Sequence, residues 1–373
     1  MRRNLIIFII IGMVSLIAGS IIYFAAGLNG NEEIKLSGKV TVLVNPGNYE
    51  AVSQAADSFK EIHPRVGIEI VKTDDPYGKT TKEISTGRID EDVIAMPEKY
   101  TQLLIKSSAT YFIDMTQEIA GMKELYSKSK LETLTYNKKN FGIPWLSEPM
   151  LILYRSDVFS VEGIDVEAIK TWEDFRETGK TLSKSTGKKF LVYNGVQFDR
   201  YKEILLSQLR INYSDKENYT RVNDLINGMI ADKTLQAVES LTASAKQGTV
   251  LAVIVSPYDA VRIMNSATAL EGKWGAMKLP AFEPGGNRDV SMGGYNLLIN
   301  KNTKNALLAK EFAKYLSSDR ETALNNLKKY GSFSSAYTVY DDDAFSFSSD
   351  YFNMDLWSLF ADIEENSPQN IYE

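Results

Sequence analysis

The sequence predicts an α/β protein with two sheet-forming sections, preceded by an amino-terminal membrane-spanning helix. Three observations predict it. Over residues 39–97, short β-branched apolar runs alternate with stretches of helical period, the pattern of a parallel sheet covered by helices. A length of 373 residues corresponds to roughly two domains, each with its own core. The chain is also uncharged from Leu5 to Leu28. As a helix that run is roughly 36 Å long, enough to cross a ~30 Å hydrocarbon layer with some tilt.

The flanks of this run set its orientation. Arg2 and Arg3 precede it, and Glu32 and Glu33 follow it, so the amino terminus is expected in the cytoplasm and the rest outside. The competing reading is a cleaved signal peptide, with Ala25-Ala26-Gly27 as a loose cleavage site. The run is long for a secretory apolar core of about 7–15 residues, which favours an uncleaved signal-anchor over residues 1–28. Residues 29–38 are polar and read as a linker.

Further on, Lys39 to Asn45 reads as a buried strand stopped by Pro46-Gly47. Ala51, Ala55, Ala56, Phe59 and Ile62 recur at helical spacing and predict a helix over residues 48–63. His63 stands at its end, before Pro64. A strand over 66–71, a helix over 77–86 and a strand over 92–96 complete the first section. Residues 141–154 are apolar and extended, and helices are expected over 171–183, 199–210 and 222–246. Thr171 and Asp174 have the spacing of a capping box. Residues 249–255 read as a buried strand and Ser256-Pro257 opens a helix. Extended stretches over 274–282 and 295–300, helices over 304–317 and 319–329, and a last helix over 353–363 follow.

Composition removes several chemistries. There is no cysteine and one histidine. Disulfides, thiolate nucleophiles, zinc–thiolate and cysteine-held iron–sulfur sites are therefore excluded, and any serine triad would have to run through His63. A lipoprotein anchor needs a cysteine after the apolar run, so a protein helix is the expected tether. With 42 basic against 48 acidic residues the net charge is −6, which argues against a nucleic-acid partner. Asp341 to Asp343 is acidic but lacks the alternating ligands, glycine and terminal Glu of a calcium loop. No metal and no cofactor is expected.

Several segments, in order, resemble the family 1 extracellular solute-binding proteins of ABC importers, the maltodextrin-binding group. They are Phe141 to Trp145, Leu153 to Phe159, Thr171 to Phe175, Gly248 to Asp259, Trp274-Gly275 with Leu279-Pro280, Gly293 to Tyr295, and Ala309 to Phe312. The resemblance implies a two-lobe periplasmic-binding-protein-like fold, class II type, closing on its ligand by a hinge. Carried over, lobe one is 39–147 plus 283–340, and lobe two is 148–282 with 341–373 returning to it. Crossings are expected near Ser147–Pro149, Leu279–Phe282 and Val339–Asp341.

A sugar cleft needs aromatic faces and polar groups that exchange hydrogen bonds with hydroxyls, and in α/β sheets it lies at the carboxyl ends of strands. Position therefore sorts the candidates, against core packing as the competing reading for each aromatic. Glu148 resembles the family's crossing-strand carboxylate, and Tyr258 stands where many relatives carry tryptophan. Trp145, Tyr295 after paired glycines, Tyr49, Glu98, Tyr193 and Trp357 complete the expected ligand set. Met96, where several relatives carry tryptophan, argues against stacking at that corner and against a long oligosaccharide.

The resemblance thus implies a non-catalytic protein that captures a sugar-like solute and delivers it to ABC permease subunits. One alternative keeps the fold and makes the chain a membrane-anchored sensing subunit for a signalling receptor. Another is a glycoside-acting enzyme using Glu98 and Glu148, which needs the two carboxylates about 5–9 Å apart.

Overall fold

The computed structural model describes residues 36–210, 215–340, 345 and 349–368. The chain divides into two compact units, Met1–Ser37 and Gly38–Glu373, and the second carries the architecture below. The expected signal-anchor and Asp341–Asp343 lie outside the described residues. Among the described residues no helix is long and apolar enough to cross a membrane.

Two five-stranded sheets form the body. Strands β1 (Gly38–Val44), β2 (Val66–Lys72) and β3 (Val93–Pro97) arise where the β-branched runs predict them. A short hairpin of β4 (Thr135–Tyr136) and β5 (Lys139–Asn140) precedes β6 (Gly142–Leu146). Strands β7 (Leu151–Arg155), β8 (Lys189–Tyr193), β9 (Leu235–Ala237), β10 (Val250–Val255) and β11 (Trp274–Lys278) follow, then β12 (Tyr295–Ile299). The first sheet has the order β2-β1-β3-β12-β6 and the second β11-β7-β10-β8-β9. In the first, β1 is parallel to β2 and β3, while β12 is antiparallel to both its neighbours. In the second, β8 is parallel to β9 and β10, while β7 is antiparallel to β10 and β11.

Each sheet has its own apolar cluster. Leu43, Ile94, Met96, Leu104 and Leu298 anchor the first, and Phe159, Phe175, Phe190, Leu191 and Ile254 the second. The helix Tyr49–Ile62 buries Ala51, Val52, Ala55, Ala56 and Phe59, the face its period predicts. His63 is its C-cap, and its ring packs 4.7 Å from that of Phe59. The capping box forms as expected at the helix Trp172–Thr186: the Thr171 amide donates to Asp174 Oδ2 at 2.8 Å, and the Asp174 amide donates to Thr171 Oγ1 at 3.2 Å.

The apolar run 141–154 splits between the sheets, with β6 in the first and β7 in the second. Ser147–Pro149 connects them. The return lies further along the chain than Leu279–Phe282, because residues after β11 stay bonded to the second section: the Ala281 amide donates to the Lys170 carbonyl at 2.8 Å, and Gln208 Nε2 donates to the Pro280 carbonyl at 2.6 Å. The crossing chain instead runs antiparallel to the first one at Pro149 and Ser291, with the Met292 amide donating to the Glu148 carbonyl at 2.8 Å. A third extended stretch joins them, where the Ser147 amide donates to the Phe333 carbonyl and the Ser335 amide to that of Trp145, both at 2.9 Å.

The long helix expected over 222–246 is two helices, Lys216–Ala231 and Leu241–Lys246, separated by β9. Lys233 takes a left-handed φ of 63°, and Thr234 Oγ1 donates to Asp232 Oδ1 at 2.7 Å, so local turn bonding overrides the continuing apolar period. The last helix is Leu356–Asn366, three residues later than expected at each end.

Candidate functional site

The cleft is built from turns at the carboxyl ends of strands in both sheets. A cavity of about 250 Å³ is lined by Asn45, Gly47 and Asn48 after β1, Leu146 to Glu148 on the first crossing, and Ser256 to Tyr258 after β10. Gly294-Tyr295 at the start of β12 and Tyr330 to Phe333 complete the wall.

Local chemistry fixes each wall. Asn45 caps the short turn Pro46–Asn48, its Oδ1 accepting from the Asn48 amide at 3.0 Å, while its Nδ2 donates to the Tyr295 hydroxyl. Burial and the Glu148 carboxylate push the Tyr295 phenol up to about 12, so it stays a neutral donor and acceptor. The Trp145 indole, 2% exposed, stands edge-on behind it with ring centroids 6.2 Å apart. On the opposite wall Ser256 and Asp259 form a capping box for the helix Pro257–Ser266. Ser256 Oγ donates to Asp259 Oδ2 at 2.9 Å, which commits that carboxylate to the helix start. Tyr258 is held outward, 45% exposed, with the Arg262 guanidinium 5.4 Å from its ring centre.

Glu148 is ion-paired to Arg200, a residue of the helix Gly195–Leu209. Burial disfavours the Arg200 charge, but the adjacent Glu148 carboxylate more than offsets it and holds the guanidinium above its ordinary value.

Of the expected ligand residues, the structure brings Glu148, Tyr258 and Tyr295 to one cavity and sets Trp145 directly behind Tyr295. The other four are elsewhere. Glu98 is a correction: it is buried beneath the crossing, 2.7 Å from Lys130 Nζ, and its amide donates to the Gly294 carbonyl at 2.9 Å. Trp357 is likewise a correction, fully buried and stacked on Phe360 with centroids 5.8 Å apart. Tyr49 is half-buried under Lys72 Nζ, 4.1 Å from its ring centre. Tyr193 packs on Phe198 at 5.1 Å, at the edge of the second core. Neither borders the cavity.

Asn45, Ser147, Ser256 and the Tyr330–Phe333 stretch line the cavity, and Arg200 pairs with Glu148 beside it, without standing among the residues expected from the sequence. Asn45 and Ser256 each follow a strand directly, a signal present in the sequence. Arg200 was hidden because β8 was not foreseen, which left the helix after it unplaced. Tyr330–Phe333 reaches the cleft through tertiary packing alone.

Residues 45–323 match the family described as bacterial extracellular solute-binding protein. The chain belongs to that family. This solute-binding protein is 25% identical over 66% of its length to the arabinooligosaccharide-binding protein of Bacillus subtilis, and 22% identical over 68% to that of Halalkalibacterium halodurans. It spans 61% of the length of each. Among solved structures it is similar to the sugar-binding protein MalE of Xanthomonas citri, with a TM-score of 0.74, 15% identity, and 90% of this chain and 88% of that one covered. It is also similar to an ABC-transporter-associated binding protein of B. animalis subsp. lactis in complex with β-1,6-galactobiose, with a TM-score of 0.68, 17% identity, and 88% and 86% covered. These likenesses establish the two-lobe α/β fold.

Proposed function

We propose that this protein captures a short, neutral oligosaccharide between its lobes by hinge closure and delivers it to an ABC importer. The observation that carries the reading is the cavity itself. It joins two tyrosine rings, Tyr258 and Tyr295, from opposite sheets with Glu148, Asn45, Ser147 and Ser256, a mixture of aromatic faces and hydroxyl-matching groups suited to a sugar. Its volume of about 250 Å³ suits a short saccharide, in keeping with Met96 where a longer site would need an aromatic. The arabinooligosaccharide-binding relatives make pentose oligomers the first choice. Titration calorimetry against arabinotriose, β-1,6-galactobiose, lactose and maltotriose tests this. Binding of at least one at micromolar affinity is expected, and silence across the panel counts against it.

The family is described as one of solute-binding proteins, and the burial of Glu98 against Lys130, away from the cavity, supports a binding role over the two-carboxylate alternative. The amino-terminal run, with arginines before it and glutamates after it, supports a signal-anchor that keeps the binding unit at the outer membrane face. Alkaline carbonate extraction checks this: an anchored chain stays with the membrane pellet, and release into the supernatant rejects the anchor.

A further inference from the structure

Arg200 is the feature of the cleft that the oligosaccharide reading does not by itself require. It pairs with Glu148, and the two side chains are 34% and 31% exposed, so the pair sits at the cleft edge. Its Nη2 is also 3.9 Å from Met150 Sδ, while its Nε is shut from solvent with no hydrogen-bond partner among the described residues. The charges of Glu148 and Arg200 both bear on the Tyr295 phenol. Glu148 lines the cavity beside Tyr295, and the ion pair brings Arg200 next to that wall.

A carboxylate offers two oxygens and a guanidinium five N–H groups, and one ion pair leaves acceptors and donors over on each. The two partners come from different places, Glu148 from the first crossing and Arg200 from the second lobe. An anionic ligand at Arg200 meets the Glu148 charge, and a cationic ligand at Glu148 meets that of Arg200. Adjacent hydroxyls of a neutral sugar meet neither penalty, one donating to the carboxylate and the next accepting from the guanidinium.

We propose that Glu148 and Arg200 act as one charge-neutral subsite that selects uncharged polyhydroxyl ligands and rejects uronates and amino sugars. The inference rests on the oligosaccharide reading and names the ligand property that the site selects.

The test uses the tightest neutral binder of the four-sugar panel, with digalacturonate as the anionic probe, ionised at pH 7, and chitobiose amine as the cationic one. Wild type is expected to favour the neutral sugar over either charged probe at least tenfold. Glu148→Gln keeps the shape and frees Arg200, so the digalacturonate-to-neutral affinity ratio should rise at least tenfold. Arg200→Gln should do the same for the cationic probe, an opposite readout that stands even should one variant fold poorly. The double variant Glu148→Gln/Arg200→Gln should return both ratios to within threefold of wild type. Ratios unchanged within twofold in both single variants overturn the subsite while leaving the oligosaccharide reading intact. A wild type that binds no sugar of the panel overturns that reading, and this inference with it.

Discussion

Lys130 Nζ lies 2.7 Å from Glu98 Oε2, and each side chain is only 5% exposed. Glu364 of the last helix joins them, with Oε1 3.6 Å from Lys130 Nζ and accepting from Ser147 Oγ at 2.7 Å. Lys130 also donates to the Gly293 carbonyl. One buried cation thus ties the first lobe, two crossing segments and the terminal helix together. Burial works against its charge, but Glu364 and Glu98 more than compensate and raise its pKa. The stabilisation is therefore fully present below the unfolded lysine value, which covers neutral pH, and is lost only as pH rises through the folded value.

Lys130→Met leaves two buried carboxylates without their cation, and the expected cost is about 3–5 kcal/mol. Urea unfolding measures it. Lys130→Met combined with Glu98→Gln and Glu364→Gln should recover most of that loss. A single-variant cost under about 1 kcal/mol would rank the cluster with surface ion pairs.

Tyr258 is the cleft aromatic with most to gain from a ligand, since nearly half of it is exposed before binding. Covering its exposed half contributes on the order of 1 kcal/mol, and truncating a tyrosine anchor in a binding pocket costs on the order of 2 kcal/mol. Tyr258→Ala should weaken sugar binding roughly tenfold to a hundredfold with the melting temperature unchanged. Wild-type affinity in calorimetry removes Tyr258 from the site.

Gly331 lies against the Pro257–Tyr258 backbone at the cleft. Its φ is +68°, and a Cβ there would lie 2.5 Å from Tyr258 Cα and 2.7 Å from the Pro257 carbonyl oxygen. Gly331→Ala should act as a wedge beyond the left-handed strain of about 1 kcal/mol. Weaker binding and a larger radius of gyration by X-ray scattering are expected. A variant as compact as wild type, with unchanged affinity, would show that closure does not bring these backbones together.

Acid lability has named sources. Burial would raise Glu118, Asp157 and Asp232, but hydrogen bonds from Lys310 to Glu118, from Arg155 to Asp157, and from Thr234 and Arg176 to Asp232 outweigh it, so all three lie below ordinary values. Their contribution is present above the unfolded carboxylate range near 4 and is lost as pH falls through the folded values. Calorimetric melting should be flat from pH 8 to about 5.5 and fall below about 4.5. Asp157→Asn with Asp232→Asn should lower the plateau and make the fall shallower, and an equally steep fall in that variant would place the acid sensitivity elsewhere.

Much of the fold was legible because burial imposes period. The β-branched apolar run from Lys39 to Asn45, the helical spacing from Ala51 to Ile62 and the Thr171–Asp174 box each map onto an element. What stayed hidden depends on distant partners. Glu98 follows a strand as a ligand carboxylate would, and only Lys130, thirty-two residues on, shows it to be structural. Trp357 reads the same in sequence whether it stacks on a sugar or on Phe360. Glu148 was legible as a crossing carboxylate, but its pairing with Arg200 needed both lobes folded.

Above all, the proposed function requires that the cavity between the two sheets bind a neutral oligosaccharide. Titration calorimetry of the Gly38–Glu373 unit, wild type beside Tyr258→Ala, against the four-sugar panel tests it most directly. One-to-one micromolar binding of at least one neutral sugar is expected, weakened at least tenfold by the substitution. No heat for any sugar, or binding untouched by the substitution, would contradict it.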